Sequence, residues 1–147
     1  MVVLGGSIPV NTLHAEPALA SGSAPTASLL GTGTDDVLYV AGWLDLRSGP
    51  QVLHVPDMAG RYYGLQFTDP ATGTNFATVG KRTTGTDAGE FLLTRAGWAG
   101  TVPAGMMCVV APHRSALVIG RVFVADAADQ PLAYALAREI RLTPLVP

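Results

Sequence analysis

The sequence predicts a mainly β fold, a single sandwich or barrel with one helix near its carboxyl end. From residue 37 onward, short runs rich in branched and aromatic residues follow one another, as strands do. Gly, Pro, Asp and Asn separate the runs, and such short turns favour antiparallel pairing. The 147 residues suffice for one core but are short for two. The predicted strands span 37–44, 51–55, 61–67, 75–79, 90–94, 106–111 and 116–124, a number typical of a sandwich or barrel.

Side-chain alternation places these strands in the sheets. In the third run, Tyr63, Leu65 and Phe67 share one face while Gly64 and Gln66 share the other, as in a half-buried strand. The first and last runs are apolar on both faces, so we expect both to be central.

One stretch, residues 130–140, has the periodicity of an amphipathic helix. Its apolar stripe consists of Leu132, Leu136 and Ile140, with Ala133 and Ala137 beside it. We expect the helix to pack by that stripe and Asp129 to be its N-cap. The final residues, TPLVP, resemble a linker.

Residues 1–35 are rich in Gly, Ser, Ala, Pro and Thr without a sustained period, which predicts an irregular segment packed on the domain. Residues 36–145 then form the single sandwich domain. No basic residue precedes the first apolar run, and Gly5, Gly6 and Pro9 interrupt it, so a signal peptide is not expected and a cytoplasmic location is favoured. No run approaches about 18 apolar residues, so we expect no membrane span.

The chain carries few charges for its size. Charged residues make up 14%, against roughly 25% in an ordinary soluble domain. Such a surface favours burial against a partner, either in a homo-oligomer or against a separate chain. The alternative is that the many Thr, Ser, Gly and Pro residues solvate it. The net charge is −2 and the only adjacent basic pair is Lys81-Arg82, so nucleic acid is not an expected partner.

Motifs for established chemistries are missing. The segment 80–85, GKRTTG, has Arg82 where a phosphate-binding loop needs Ser or Thr after the lysine. The three histidines lie far apart and the single cysteine, Cys108, lies in an apolar run typical of a core strand, so neither a metal nor a cofactor is expected. Ser115 beside His113 lacks the geometry of a hydrolytic triad.

Arg121 is the most informative charged residue, because apolar neighbours surround it on a predicted central strand. It requires either a carboxylate, such as Asp36 or Asp69, or a bound anion. Arg61 and Arg82 flank aromatic and threonine-rich segments and leave the same two possibilities open. The candidate residues for a polar organic ligand are Asp36, Tyr39, Arg61, Tyr63, Asp69, Arg82, Thr83, Thr84 and Arg121.

The chain resembles the bacterial domain-of-unknown-function 1254 family. Similar segments occur in the same order and spacing: DDVLY (35–39), LDLRSGP (44–50), VPD (55–57), RYYGLQFTD (61–69), GKRTTG (80–85), AGWAGTVPAG (96–105), IGR (119–121) and LTPL (142–145). The resemblance implies a β-sandwich of jelly-roll type. It also implies a second uncharacterised domain, number 1214 of the same series, which usually follows in the same chain.

These observations give two functional hypotheses. The first is a module of an oligomer or of a two-component assembly, with a small polar organic ligand bound at the Arg, Tyr and Thr residues. The alternative is a hydrolase-type enzyme that acts on a small organic substrate.

Overall fold

Two β-sheets face each other and one helix packs against them in the computed structural model, which describes residues 2–3, 6–7, 9–16 and 37–145. The strands are β1 (Val2–Val3), β2 (Gly6–Ser7), β3 (Leu13–Ala15), β4 (Val37–Asp45), β5 (Gln51–Val55), β6 (Tyr63–Asp69), β7 (Thr74–Gly80), β8 (Gly89–Arg95), β9 (Met107–Ala111), β10 (Ser115–Phe123) and β11 (Arg141–Pro144). The helix α1 spans Gln130–Glu139. The predicted mainly β class with one helix is confirmed.

The larger sheet has the order β3-β4-β10-β6-β7, and the smaller one has the order β11-β5-β8-β9. β1 and β2 form a separate antiparallel pair. β4 lies between β3 and β10, and β10 lies between β4 and β6, so both strands predicted to be central are flanked on two sides. Among the described strands, β3, β7, β11 and β9 are therefore the edges of the two larger sheets.

All seven predicted strands are present, and one expectation about their pairing is wrong. β8 and β9 run parallel, whereas short links predicted antiparallel pairs throughout. The link over residues 96–106 is long enough to return the chain to the end from which β8 began, as a parallel pair requires. β3 and β11 were not predicted, and β11 includes Thr143 and Pro144, the first two residues of the stretch that resembled a linker.

The core lies between the two sheets. The inward-facing side chains of β6, Tyr63, Leu65 and Phe67, are at most 1% exposed, as the alternation predicted. On the neighbouring strand β10, Gly120 faces the same core, where the side chains of Leu65 and Val40 fill the space that a Cβ would take. The absence of a side chain at Gly120 therefore lets β10 and β6 pack closely.

The helix α1 contacts β3, β4 and β10, and β11 begins directly after it. It packs by Ala133, Ala137 and Ile140, while Leu132 is 56% exposed, so the predicted stripe is wrong at Leu132. The small alanines allow the helix backbone to approach the sheet closely, which turns the leucines to its flank. Among the described residues, no helix has the length and apolar character needed to cross a lipid bilayer.

Candidate functional site

The nine predicted ligand residues do not form one cluster. Asp36 lies outside the described residues. The other eight occupy three regions: Arg61, Tyr63, Arg82, Thr83 and Thr84 near the start of β6, Tyr39 and Arg121 on the outer face of the larger sheet, and Asp69 at the end of β6. A strand of this length separates its two ends by about 20 Å, so Asp69 cannot share a small ligand with Tyr63.

Thr83 and Thr84 stabilise the turn that follows β7. The Thr83 hydroxyl donates a hydrogen bond to the Thr78 carbonyl at 2.9 Å, and the Thr84 hydroxyl accepts one from the Gly80 N–H at 3.1 Å. Burial raises the pKa of Tyr63, and a hydrogen bond with Thr84 offsets part of that rise. These groups use their hydrogen-bonding capacity within the turn, which is a structural role.

Arg82 and Lys81, the adjacent basic pair, have separate local contacts. The Arg82 guanidinium lies 5.3 Å from the ring centroid of Tyr62, within the range of a cation–π interaction. The Lys81 ammonium donates a hydrogen bond to the Gly60 carbonyl at 2.9 Å. The two side chains therefore fix the loop before β6 against the turn after β7.

Arg61 forms a bidentate ion pair with Asp129, the residue before α1. Its two terminal nitrogens lie 2.5 and 2.7 Å from the two carboxylate oxygens, and one of them also donates to the Phe123 carbonyl at 2.7 Å. Asp129 additionally accepts a hydrogen bond from the Ala125 N–H. It is the N-cap residue of α1, as predicted, but its side chain makes no cap hydrogen bond to the helix. The ion pair instead joins the start of β6 to the start of α1.

This pair lies in an open groove of about 670 Å³ between the loop before β6 and the flank of α1. Much of the lining is apolar: Met58, Tyr62, Phe123, Leu132 and Leu136. Because Asp129 neutralises Arg61, the guanidinium offers no free charge to an anion in the groove.

The Asp129 carboxylate should make stability depend on pH. The Arg61 guanidinium, together with the Ala125 N–H, holds the pKa of Asp129 far below its usual range. Since the pKa of Asp129 is lower in the folded state, its contribution to the free energy of unfolding is complete above the unfolded-state pKa of about 3.9. The contribution is lost as pH falls toward the folded-state pKa. We expect Asp129→Asn to melt below the wild type near pH 6, and the difference to narrow between about pH 4 and about pH 2.5. Melting curves at both ends of that range check this, and a constant difference would contradict it.

Arg121 stacks on an aromatic ring. It is paired with Tyr39 across the β4–β10 ladder, and its guanidinium lies 5.4 Å from the centroid of the Tyr39 ring. Of the two carboxylates suggested as its partner, Asp69 binds His113 instead, and Asp36 lies outside the described residues. Cross-strand stacking on an aromatic ring stabilises a half-buried guanidinium.

Asp69 orients a histidine that the list of candidates omitted. Its carboxylate is 3% exposed and lies 2.8 Å from Nδ1 of His113, while it accepts hydrogen bonds from the Ala71 N–H and the Thr72 hydroxyl. Burial raises the pKa of Asp69, but the hydrogen bonds outweigh it and leave the pKa below its usual value. Asp69 and His113 are 44 positions apart, so their spacing in the sequence did not indicate that they pair.

The pair lies in an open cleft, here named the Asp69 cleft, whose lining is Asp69, Pro70, Ala71, Arg95, Ala96, Pro112, His113, Arg114 and Ser115.

The edge strand β9 exposes apolar side chains. Met107 and Val110 are each 54% exposed, and Cys108 is exposed as well, so the prediction that this cysteine lies in the core is wrong. Sequence pattern could not distinguish an edge from a central strand, because both are apolar runs. Among the described residues, no three His, Cys, Asp or Glu side chains are grouped so that they could hold a metal ion.

The fold and these features define a mainly β sandwich domain in which β9 is an apolar edge strand among the described strands. The model of a protein family of unknown function, DUF1254, matches residues 10–144. The chain therefore belongs to this family. No match was found among the curated proteins.

Two solved structures are similar to this chain. The VPA0106 protein from Vibrio parahaemolyticus is 26% identical with a TM-score of 0.75, and the match covers 94% of this chain and 31% of that one. An uncharacterized protein from Burkholderia cenocepacia is 12% identical with a TM-score of 0.53, over 92% of this chain and 34% of that one, which shows the fold alone. The chain thus spans about a third of the length of these proteins.

Proposed function

We propose that this domain is an assembly module that binds a second copy of itself by pairing the two β9 strands edge to edge. The observation that carries the proposal is the exposure of Met107 and Val110, 54% each, on a strand that pairs on one side only among the described strands. Such an edge presents unpaired N–H and C=O groups beside apolar side chains, which is a template for another strand.

The other described edges carry features that oppose pairing. β7 has a register irregularity opposite Phe67 and Thr68, and its exposed residues include Thr74 and Asn75. β11 contains Arg141 and Pro144, and β3 is three residues long and touches α1. Charges, proline, bulges and short length are the devices by which proteins block edge pairing. β9 has no charge, proline or bulge, so it is the edge strand best suited to pair with another chain.

A second copy is the occupant that fits this strand. The sequence of β9, MCVVA, carries no charge, so an antiparallel copy related by a two-fold axis meets no like charge. The contact is then self-complementary and closes at two subunits. The low charge of the whole chain is consistent with a surface that becomes buried.

Light scattering on the protein as it elutes from a sizing column tests the proposal. We expect a molar mass about twice the 15.2 kDa of one chain. A monomer over the whole range from micromolar to millimolar protein would overturn the proposal.

The alternative, a hydrolase-type enzyme, has weaker support. The Asp69–His113 pair has the arrangement of an oriented general base. However, among the described residues no hydrogen bond joins His113 to the neighbouring Ser115, so Ser115 is not activated as a nucleophile by this base.

A further inference from the structure

We infer that the Asp69 cleft binds a small organic carboxylate, whose charged group contacts His113, Arg95 and Arg114 and whose short apolar body lies against the cleft walls. This inference goes beyond assembly through β9 and does not depend on it. It assigns to Asp69 the role of positioning a ligand-binding histidine.

His113 is held with one nitrogen toward the protein. Nδ1 lies 2.8 Å from the Asp69 carboxylate, which accepts a hydrogen bond from Nδ1–H, while 58% of the imidazole side chain stays exposed. Three hydrogen bonds fix that carboxylate in turn, from His113, Ala71 and Thr72. A buried carboxylate that fixes the Nδ1 tautomer leaves Nε2 free for a ligand. A surface histidine with only a packing role would not need this support.

Two arginines give the cleft its charge. Arg95 at the end of β8 and Arg114 beside His113 are both exposed, and neither forms a salt bridge to a carboxylate within 4.0 Å among the described residues. Two nearby carboxylates have other partners: Asp69 binds His113, and Asp45, whose pKa Arg114 helps to lower, binds Arg47. The cleft therefore has a positive surplus. Guanidinium groups bind planar carboxylates through paired hydrogen bonds.

The remaining walls suit a short apolar body. Pro70, Ala71, Ala96 and Pro112 line the cleft, which has a volume of about 640 Å³. This volume falls within the range of small-molecule sites, which combine apolar walls with a few polar groups. The charge and the walls together specify a monocarboxylate with a compact apolar group.

The groups that face His113 are Asp69 from the end of β6, Arg95 from the end of β8 and its neighbour Arg114. With both ring nitrogens carrying a proton, the Nδ1–H donates to Asp69 and the Nε2–H donates to the carboxylate of the ligand.

Titration with benzoate, followed by the NMR signals of the histidine rings, tests the inference. We expect saturable shifts of the His113 ring protons at millimolar benzoate near pH 6, and no saturable shift with the neutral isostere benzamide. Arg114→Gln and Arg95→Gln should each weaken binding about tenfold or more. Both arginines are exposed, so both variants should fold.

Arg138→Gln is the matched control, because Arg138 is an exposed arginine that stacks on Tyr134 of α1, away from the cleft. It should bind benzoate as the wild type does. Equal loss in the Arg138 control, equal binding of benzamide, or no saturation with benzoate would each overturn the inference.

Discussion

Replacing Gly120 by valine is expected to destabilise the protein by about 3 kcal/mol or more, which lowers the melting temperature by roughly 6–12 °C. A Cβ at this position would overlap the Cδ2 atom of Leu65 and come within 3.4 Å of the Val40 Cβ. Leu65 is fully buried on the adjacent strand β6, so it has little room to move aside. Valine adds two methyl groups beyond that Cβ, and the strands β10 and β6 must separate to admit them.

Gly64→Ala is the matched control for this prediction. Gly64 lies on β6 beside β10, but its side-chain direction is the outer face, where the nearest atom to a Cβ is the Tyr62 hydroxyl at 3.8 Å. We expect its melting temperature to be unchanged or slightly raised, since alanine restricts the unfolded chain more than glycine does. Thermal melts of both variants check the pair. Equal stability of Gly120→Val and the wild type would mean that β10 and β6 do not pack as described.

Replacing Val110 by lysine is expected to weaken self-association at least about a hundredfold. Val110 is exposed on the β9 edge, and the two-fold contact brings the two β9 strands, with a lysine on each, side by side. Like charges brought together at an interface cost several kcal/mol, and a lysine is the residue with which natural sheets block an edge. Because the side chain reaches solvent, the monomer itself should remain folded.

Thr78→Lys is the control for Val110→Lys, since Thr78 is exposed on β7, another edge strand among the described ones. Sedimentation equilibrium of the three proteins gives their dissociation constants. We expect the Thr78 variant to match the wild type. An undiminished dimer in Val110→Lys would show that β9 is not the contact.

The strands that the sequence predicted share one property, an apolar run or an alternation long enough to identify. Tyr63, Leu65 and Phe67 fill the core as the period of two required. β3 was missed because its three residues are too few to show a period, and β11 was missed because it contains Pro144. Proline is tolerated there because β11 is an edge strand. The parallel pairing of β8 with β9 depends on the path of the link between them, which residue types alone did not reveal.

The polar contacts were less predictable because they join distant parts of the chain. Arg61 and Asp129 are 68 positions apart, and no local pattern links a strand residue to the start of a helix far downstream. Asp69 lies at the end of β6 and His113 lies in the turn before β10, 44 positions apart. The two residues meet because β6 and β10 are neighbours in the sheet. Arg121 among apolar residues did indicate that a half-buried cation needs a partner, but an aromatic partner had not been considered.

Cross-linking through Cys108 tests the central claim, pairing of β9 with itself, most directly. Cys108 is the only cysteine and lies exposed on β9, so the two thiols come close across the two-fold axis. We expect a short bismaleimide to convert the protein to a covalent dimer, and we expect no product from Cys108→Ser. The double variant Cys108→Ser with Thr78→Cys, which moves the thiol to β7, should also give no dimer. A monomer that stays uncross-linked, or equal cross-linking from β7, would contradict the account.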